Sequence, residues 1–212
     1  MIVKLRDAGV RVLRQKRDVL KLIDFCDDRY ARADAFVGTF SKNIAHSNTK
    51  RNNLNVHIGA NIGGHMRHSL NHMQSAMARI YSNYNNNENE SSTIEYDKRE
   101  RGTDLETKTT AAVTAISDLE KDLHRIVDLH TTQSTFDLDR EEISCTFKLD
   151  PIEAEDQTFK STCAREIAFS IHHAIHHLAM IRLILKAQGA STSELENLGV
   201  APATEEYNLK QQ

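Results

Sequence analysis

Little in this chain interrupts it. Only two prolines, Pro151 and Pro202, and eight glycines occur in 212 residues. A turn-rich β fold needs more of both, so the long unbroken segments favour helices. The three cysteines, Cys26, Cys145 and Cys163, are odd in number, far apart and never in a Cys-x-x-Cys pair. That excludes a disulfide framework and points to a reducing, intracellular setting. The formal net charge is −3, which leaves no electrostatic footprint for nucleic acid. The most basic stretch, Lys4 to Arg17, contains Asp7 and runs on into Asp18, Asp24 and Asp27; it reads as the solvated face of a helix. Neither a signal-peptide core nor an apolar run long enough to cross a bilayer is present. The expectation is one cytoplasmic domain over residues 1–212, with neither a membrane nor a nucleic acid as partner. At 39% hydrophobic and 27% charged residues it can bury a core without metal or disulfide staples.

Helical periodicity fills four segments. Val10, Val12, Leu13, Val19, Leu20 and Ile23 approximate helical spacing within residues 3–30. Asn61 offers an N-cap for a helix over 61–84, whose apolar stripe is Ile62, Met66, Leu70, Met73, Met77 and Ile80. A third helix over 105–129 turns Ala112, Val113, Ile116, Leu119, Leu123, Ile126 and Val127 inward. The fourth covers 162–188, with Ser161 or Thr162 as N-cap and Gly189 as its stop. Between them, 31–55 loses periodicity and 84–92 is a polar, Asn-rich loop. Ile143, Cys145, Phe147 and Leu149 alternate with polar residues, the pattern of a strand. A single short strand makes no sheet, so it is expected to be an extended excursion before Pro151. The tail after Gly189 is expected to be extended. The predicted fold is all-α: a four-helix bundle with long loops and one short extended segment before the last helix.

Histidine is what the chain has in plenty, eleven in all. Four of them, His172, His173, His176 and His177, lie in CAREIAFSIHHAIHHLAMIR. At about 100° per residue His173 and His177 fall within roughly 40° of each other, on the apolar arc. A single inward histidine is most often a core residue bonded to a carbonyl, but a pair at i, i+4 can reach one metal ion. His65, His68 and His72 share a face of the second helix. That face lies off the methionine stripe, His68 roughly 150° from its centre, so the residues equally describe an imidazole-rich polar flank. A site requires this flank to turn toward the fourth helix while the methionines pack elsewhere. Glu166 sits two turns before His173 on the same arc and is the candidate proton carrier. Arg99 and Arg101 could contact an anion, although a solvated charge run explains them as well. His46 and His57 have no evident partners, and His124 and His130, near the end of the third helix, are expected to be peripheral. Ile171 and Ile175 are expected to point outward and would suit a homodimer contact.

Several chemistries are excluded by missing signatures. The chain has no H-E-x-x-H, no His-Asp dipeptide and no Gly-rich phosphate loop, and neither metal-facing helix carries E-x-x-H. A Cys163–His172 dyad is conceivable but distant. What remains is a site of three neutral imidazoles, one from the second helix and two from the fourth. Such a site suits Zn, Ni or Fe with a position left for water or a thiolate.

These residues resemble the DinB/YfiT-like metalloenzymes, four-helix bundles with a three-histidine metal site. In that family an Ile-Gly step is followed, five residues after the glycine, by a ligand histidine; here the step is Ile62-Gly63 and the histidine is His68. The family's last helix carries H-x-x-H-H, whose outer histidines are ligands; HAIHH places them at His173 and His177. His65, His72, His172 and His176 are additional, as partners that orient the ligands or as substrate contacts. YDKRERGT, the S-T-x-x-R-E before the histidines and G-V-A-P near the end resemble a less-characterised branch. The Asn-rich stretches at 52–55 and 85–89 look like insertions. Relatives transfer low-molecular-weight thiols, isomerise maleylpyruvate with a thiol cofactor, or supply the iron-binding part of sulfur-insertion enzymes with a second large domain. The resemblance implies a metal-dependent enzyme acting on a small molecule, S-transferase-like, with a small thiol as co-substrate. The alternative is a non-catalytic or structural metal-binding bundle, its metal closed off by His65 or His72 as fourth ligand.

Overall fold

The computed structural model describes residues 1–32, 60–85, 93–98, 100–132, 136–152 and 155–211 in full, and the backbone alone of 36–41 and 53–57. The chain is mostly helical and carries a small sheet, so it is not purely all-α. The first helix, α1 (Ile2–Leu22), ends before residue 30. Asp24 and Phe25 both take left-handed backbone angles, with φ of 54° and 51°, and the chain restarts as α2 (Asp27–Ala31). The turn places Asp27 over the start of α5 (Thr109–Thr132), where its carboxylate accepts both the backbone N–H and the hydroxyl of Thr109. Fixing that helix end offsets two left-handed residues that are not glycine.

Within the stretch expected to be loop, β1 (Phe36–Ser41) and β2 (Asn53–His57) pair antiparallel. The second long helix is α3 (Ile62–Tyr84), and the Asn61 side chain accepts from the N–H of Gly64, as an N-cap should. A short strand, β3 (Thr93–Glu95), and one turn of helix, α4 (Asp104–Thr107), lead into α5. The α4 turn explains Gly63. A Cβ there would lie 2.0 Å from the carbonyl oxygen of Glu106 and 2.9 Å from the Tyr30 ring, so only glycine lets the two backbones approach.

The alternating segment is β4 (Glu142–Phe147), and it does make a sheet. It pairs parallel with β3 and antiparallel with β5 (Gln157–Thr162), giving the order β3-β4-β5. β5 runs directly into α6 (Cys163–Ala187), whose N-cap Thr162 accepts from the N–H of Arg165. The helix stops at Gly189, with φ of 94°. The tail is not extended to its end: Pro202, at the first helical position, begins α7 (Pro202–Leu209).

Packing follows the stripes. Helix α3 lies against α6 and α5, and α1 lies against α5 and α6. All six stripe residues of α3 are buried. By length and composition α6 is apolar enough to cross a membrane, contrary to the sequence expectation. Most of its large apolar residues, Leu183 apart, are spent inside the fold, on α3 on one side and α1 on the other. Ile171 and Ile175, expected to face outward, are therefore buried, and Ile171 approaches Gly9 of α1. They are not available to a second subunit.

Candidate metal centre

The imidazole flank of α3 does turn toward α6. Met66 packs the other way, its sulfur 3.8 Å from the Lys16 ammonium of α1, and this rotation leaves His65, His68 and His72 facing His173 and His177. One ligand nitrogen from each of His68, His72 and His173 lies within 4.8 Å of the others, so these three could hold a metal ion. His177 belongs to the same cluster. Its Nε2 is 3.1 Å from His173 Nε2, and its Nδ1 is 2.9 Å from His65 Nδ1.

The spacings can be compared with coordination geometry. Two imidazole nitrogens bound at 2.0–2.1 Å to one ion are about 3.3 Å apart at a tetrahedral angle and about 2.9 Å at a right angle. The His173–His177 separation falls between these values. The rings of His68, His173 and His177 are mutually edge-on, at 76°, 82° and 69°, with centroids 4.6 to 5.0 Å apart. His72 is edge-on to His68, at 4.5 Å and 74°, but its ring lies nearly flat on that of His173, at 4.1 Å and 19°. Parallel rings direct their nitrogens side by side, whereas edge-on rings can converge.

Burial keeps His65 and His177 neutral. It pushes His65 down to about 4, with the charges of His176 and Lys16 adding to the effect. His177 is lowered further, by burial first and then by His173, His68, His65 and Lys16. A neutral imidazole is the form that ligates a metal. The Nδ1–Nδ1 contact holds one proton between two rings. With His177 as donor and His65 as acceptor, His177 Nε2 keeps its lone pair for an ion, and His65 fixes the ring. The remaining α6 histidines are outside: His172 and His176 are exposed, although the His176 ring is 5.3 Å from that of His177.

Glu166 is fully buried, but it is directed at the sheet. Its carboxylate accepts from Tyr96 Oη at 2.7 Å, from Ser161 Oγ, and from Arg165 Nη1 at 2.6 Å, with the Cys145 thiol at 3.9 Å. None of these is a histidine. The link to the cluster is Tyr96, whose ring stacks on His72 at 4.7 Å and 20°. Tyr96 opens the YDKRERGT stretch, but its place against His72 depends on β3 pairing with β4.

A residue of the site that belongs to no motif is Lys16. It is completely buried and donates to Ser69 Oγ, which in turn donates to the carbonyl of His65. Burial lowers its pKa to about 7. A signal for it does exist, since position 16 falls on the same helical arc as Val12, Val19 and Leu20.

The remaining sequence candidates are quickly placed. Arg101 is exposed, while Arg99, His46 and the His57 side chain lie outside the described residues. Cys163 is fully buried, and burial pushes its thiol up to about 12, so it does not serve as a nucleophile with the exposed His172. No family model, no curated protein and no solved structure matches this chain.

Proposed function

We propose that the chain is a divalent-metal-binding four-helix bundle of the DinB-like kind, with His68, His173 and His177 as ligands, acting as an enzyme on a small molecule together with a small thiol. The observation that carries the reading is the 3.1 Å approach of His173 Nε2 and His177 Nε2, with His68 edge-on to both. Three neutral donors without a carboxylate leave the site cationic, which favours an anionic ligand. A Zn, Ni or Fe ion held there would supply a nucleophile at neutral pH by acidifying a bound water or thiol. The chain's own residues do the rest. His65 orients His177 through Nδ1. Tyr96, tied to Glu166, holds the ring of His72 and with it one wall of the site. His176, exposed beside His177, is better placed than Glu166 to carry a proton to or from solvent.

Metal analysis tests the ligand set. The protein and its His72→Ala variant should each retain about one ion per chain, and the His173→Ala/His177→Ala double variant should retain none. Equal metal in all three refutes the site, and loss in His72→Ala moves the third ligand to His72. The thiol part is tested in the cobalt-substituted protein. Addition of 2-mercaptoethanol should produce a sulfur-to-metal charge-transfer band, and an unchanged spectrum refutes thiol binding.

A second reading, a closed non-catalytic site, is favoured by the place of His72, whose nitrogen is within 4.8 Å of those of His68 and His173. X-ray absorption distinguishes the two. Four protein nitrogens and no water indicate the closed site, and three with an oxygen indicate the open one.

A further inference from the structure

We propose that the face of the small sheet carries a separate binding site, for a small carboxylate with a flat apolar body. A cavity of about 580 Å³ opens there, lined by Cys145, Phe147, Leu149, Phe159, Lys160 and Arg165 among others. That volume suits a ligand of one or two rings.

Arg165 receives the polar end of the ligand. Its Nη1 donates to the buried Glu166, and its guanidinium carbon lies 5.0 Å from the centroid of the Phe169 ring. The plane of the guanidinium is thus held from two sides, while 56% of the side chain remains exposed. Its other N–H groups meet no acceptor among the described residues. A guanidinium fixed in this way presents a fork that a carboxylate fits with two parallel hydrogen bonds. Lys160 adds a second cation, paired only at 3.8 Å with Glu142. Because Glu166 and Glu142 already partly offset the two cations, a single carboxylate is a better match than a multiply charged phosphate.

The walls receive the apolar end. Phe147 and Phe159 stand 6.1 Å apart and tilted at 56°. Phe159 is 46% exposed and Leu149 66% exposed, so two large apolar side chains meet water around the cavity. The floor is the buried Cys145 thiol, which burial and Glu166 keep protonated. The site is also partitioned from the histidines. Phe147 contacts Tyr96 and Phe169, and those two rings, not the cavity, contact His72. Binding there needs no metal.

The test uses the full chain freed of metal by a chelator, with 2-naphthoate and its uncharged counterpart 2-naphthamide as probes, followed by calorimetry and saturation-transfer NMR. The carboxylate should bind at least about tenfold more tightly than the amide, the discrimination a charge-assisted pair gives. Phe159→Ser should weaken both probes. Arg165→Gln should reduce the carboxylate to the affinity of the amide. Arg165→Lys, which keeps a cation beside Glu166, should fold normally and fall between the two. The His173→Ala/His177→Ala variant should bind both probes as the parent does. Equal binding of carboxylate and amide, no binding of either, or loss of binding in the histidine variant would each overturn the proposal.

Discussion

Replacing Lys16 by methionine should stabilise this protein, and by an amount that depends on pH in a defined way. Lys16 is fully buried, takes part in no ion pair among the described residues, and donates only to Ser69 Oγ and to the sulfur of Met66. Desolvation lowers its pKa from 10.5 to about 7. Each tenfold change in proton affinity is worth about 1.4 kcal/mol, so the charged form is disfavoured in the fold by at most about 5 kcal/mol. The sign follows from linkage. Between pH 7 and 10.5 the unfolded chain holds a proton that the folded chain has lost, so stability rises with pH through that window. Below pH 7 the full penalty applies, and above 10.5 none does. Methionine has similar length, fits among Met66 and the apolar residues of α1, and carries no charge. Ser69 stays satisfied, since its hydroxyl also donates to the carbonyls of His65 and Met66. Urea unfolding of metal-free parent and Lys16→Met should therefore differ by up to about 4 kcal/mol at pH 7 and by less than about 1 kcal/mol at pH 10. Taking the difference between the two proteins cancels the other titrating groups, including Cys163 and Tyr96, whose raised pKa values act in the opposite direction at high pH. A difference that does not change between pH 7 and 10 would refute the claim that Lys16 is desolvated.

On the acid side, the lowered His65 pKa means that the folded chain holds fewer protons than the unfolded one between about pH 4 and 6.5. Stability of the metal-free protein should fall as pH drops through that window, by about 3 kcal/mol for His65 alone, and His65→Asn should make that limb shallower in urea titrations, leaving the part that His177 contributes. Gly63→Ala puts a methyl group against the Glu106 carbonyl and should lower the thermal midpoint by several degrees, for about 2–3 kcal/mol of strain. Gly64→Ala, whose nearest neighbour is 3.1 Å away, should cost less in the same scan. Tyr96→Phe removes the hydrogen bond to the buried Glu166 but keeps the ring on His72. It should destabilise by about 1.5–3 kcal/mol and leave metal content unchanged, whereas lost metal would show that the hydroxyl acts on the ligands.

The helices that carry the histidines were legible almost to the residue because their signals are local. Asn61 and Thr162 each accept from the N–H three residues on, and the apolar spacing behind them is regular. The break after α1 is not local. Apolar spacing continues through Ile23 and Phe25, and the turn exists because Asp27 caps a helix far along the chain. Sheet pairing fails for a related reason. β4 alternates because one face is buried, but β3 is three residues long and β5 is exposed along its first four residues, so neither has an internal pattern to read. Which strand pairs with which is decided by contacts between segments.

The site divides along the same line. The His173 and His177 spacing is a property of one helix and can be read directly. The rotation of α3 that brings His65, His68 and His72 to α6 is set by where Met66 and its neighbours pack. Periodicity places His68 far from the stripe but does not say what faces it. Glu166 shows the limit of the helical-arc argument. Its direction along α6 is right for the histidines, yet it lies at the first turn, where β5 joins the helix, and so the sheet rather than the cluster supplies its donors. Lys16 shows the opposite case. A cation on an apolar arc normally reads as a long side chain reaching out to solvent. Here α3 covers its end with Ser69 and Met66, so the same spacing that makes Val12 and Leu20 core makes Lys16 core as well. A fold that keeps a desolvated cation beneath a cluster of imidazoles sacrifices stability there, and the pH dependence of Lys16→Met measures how much.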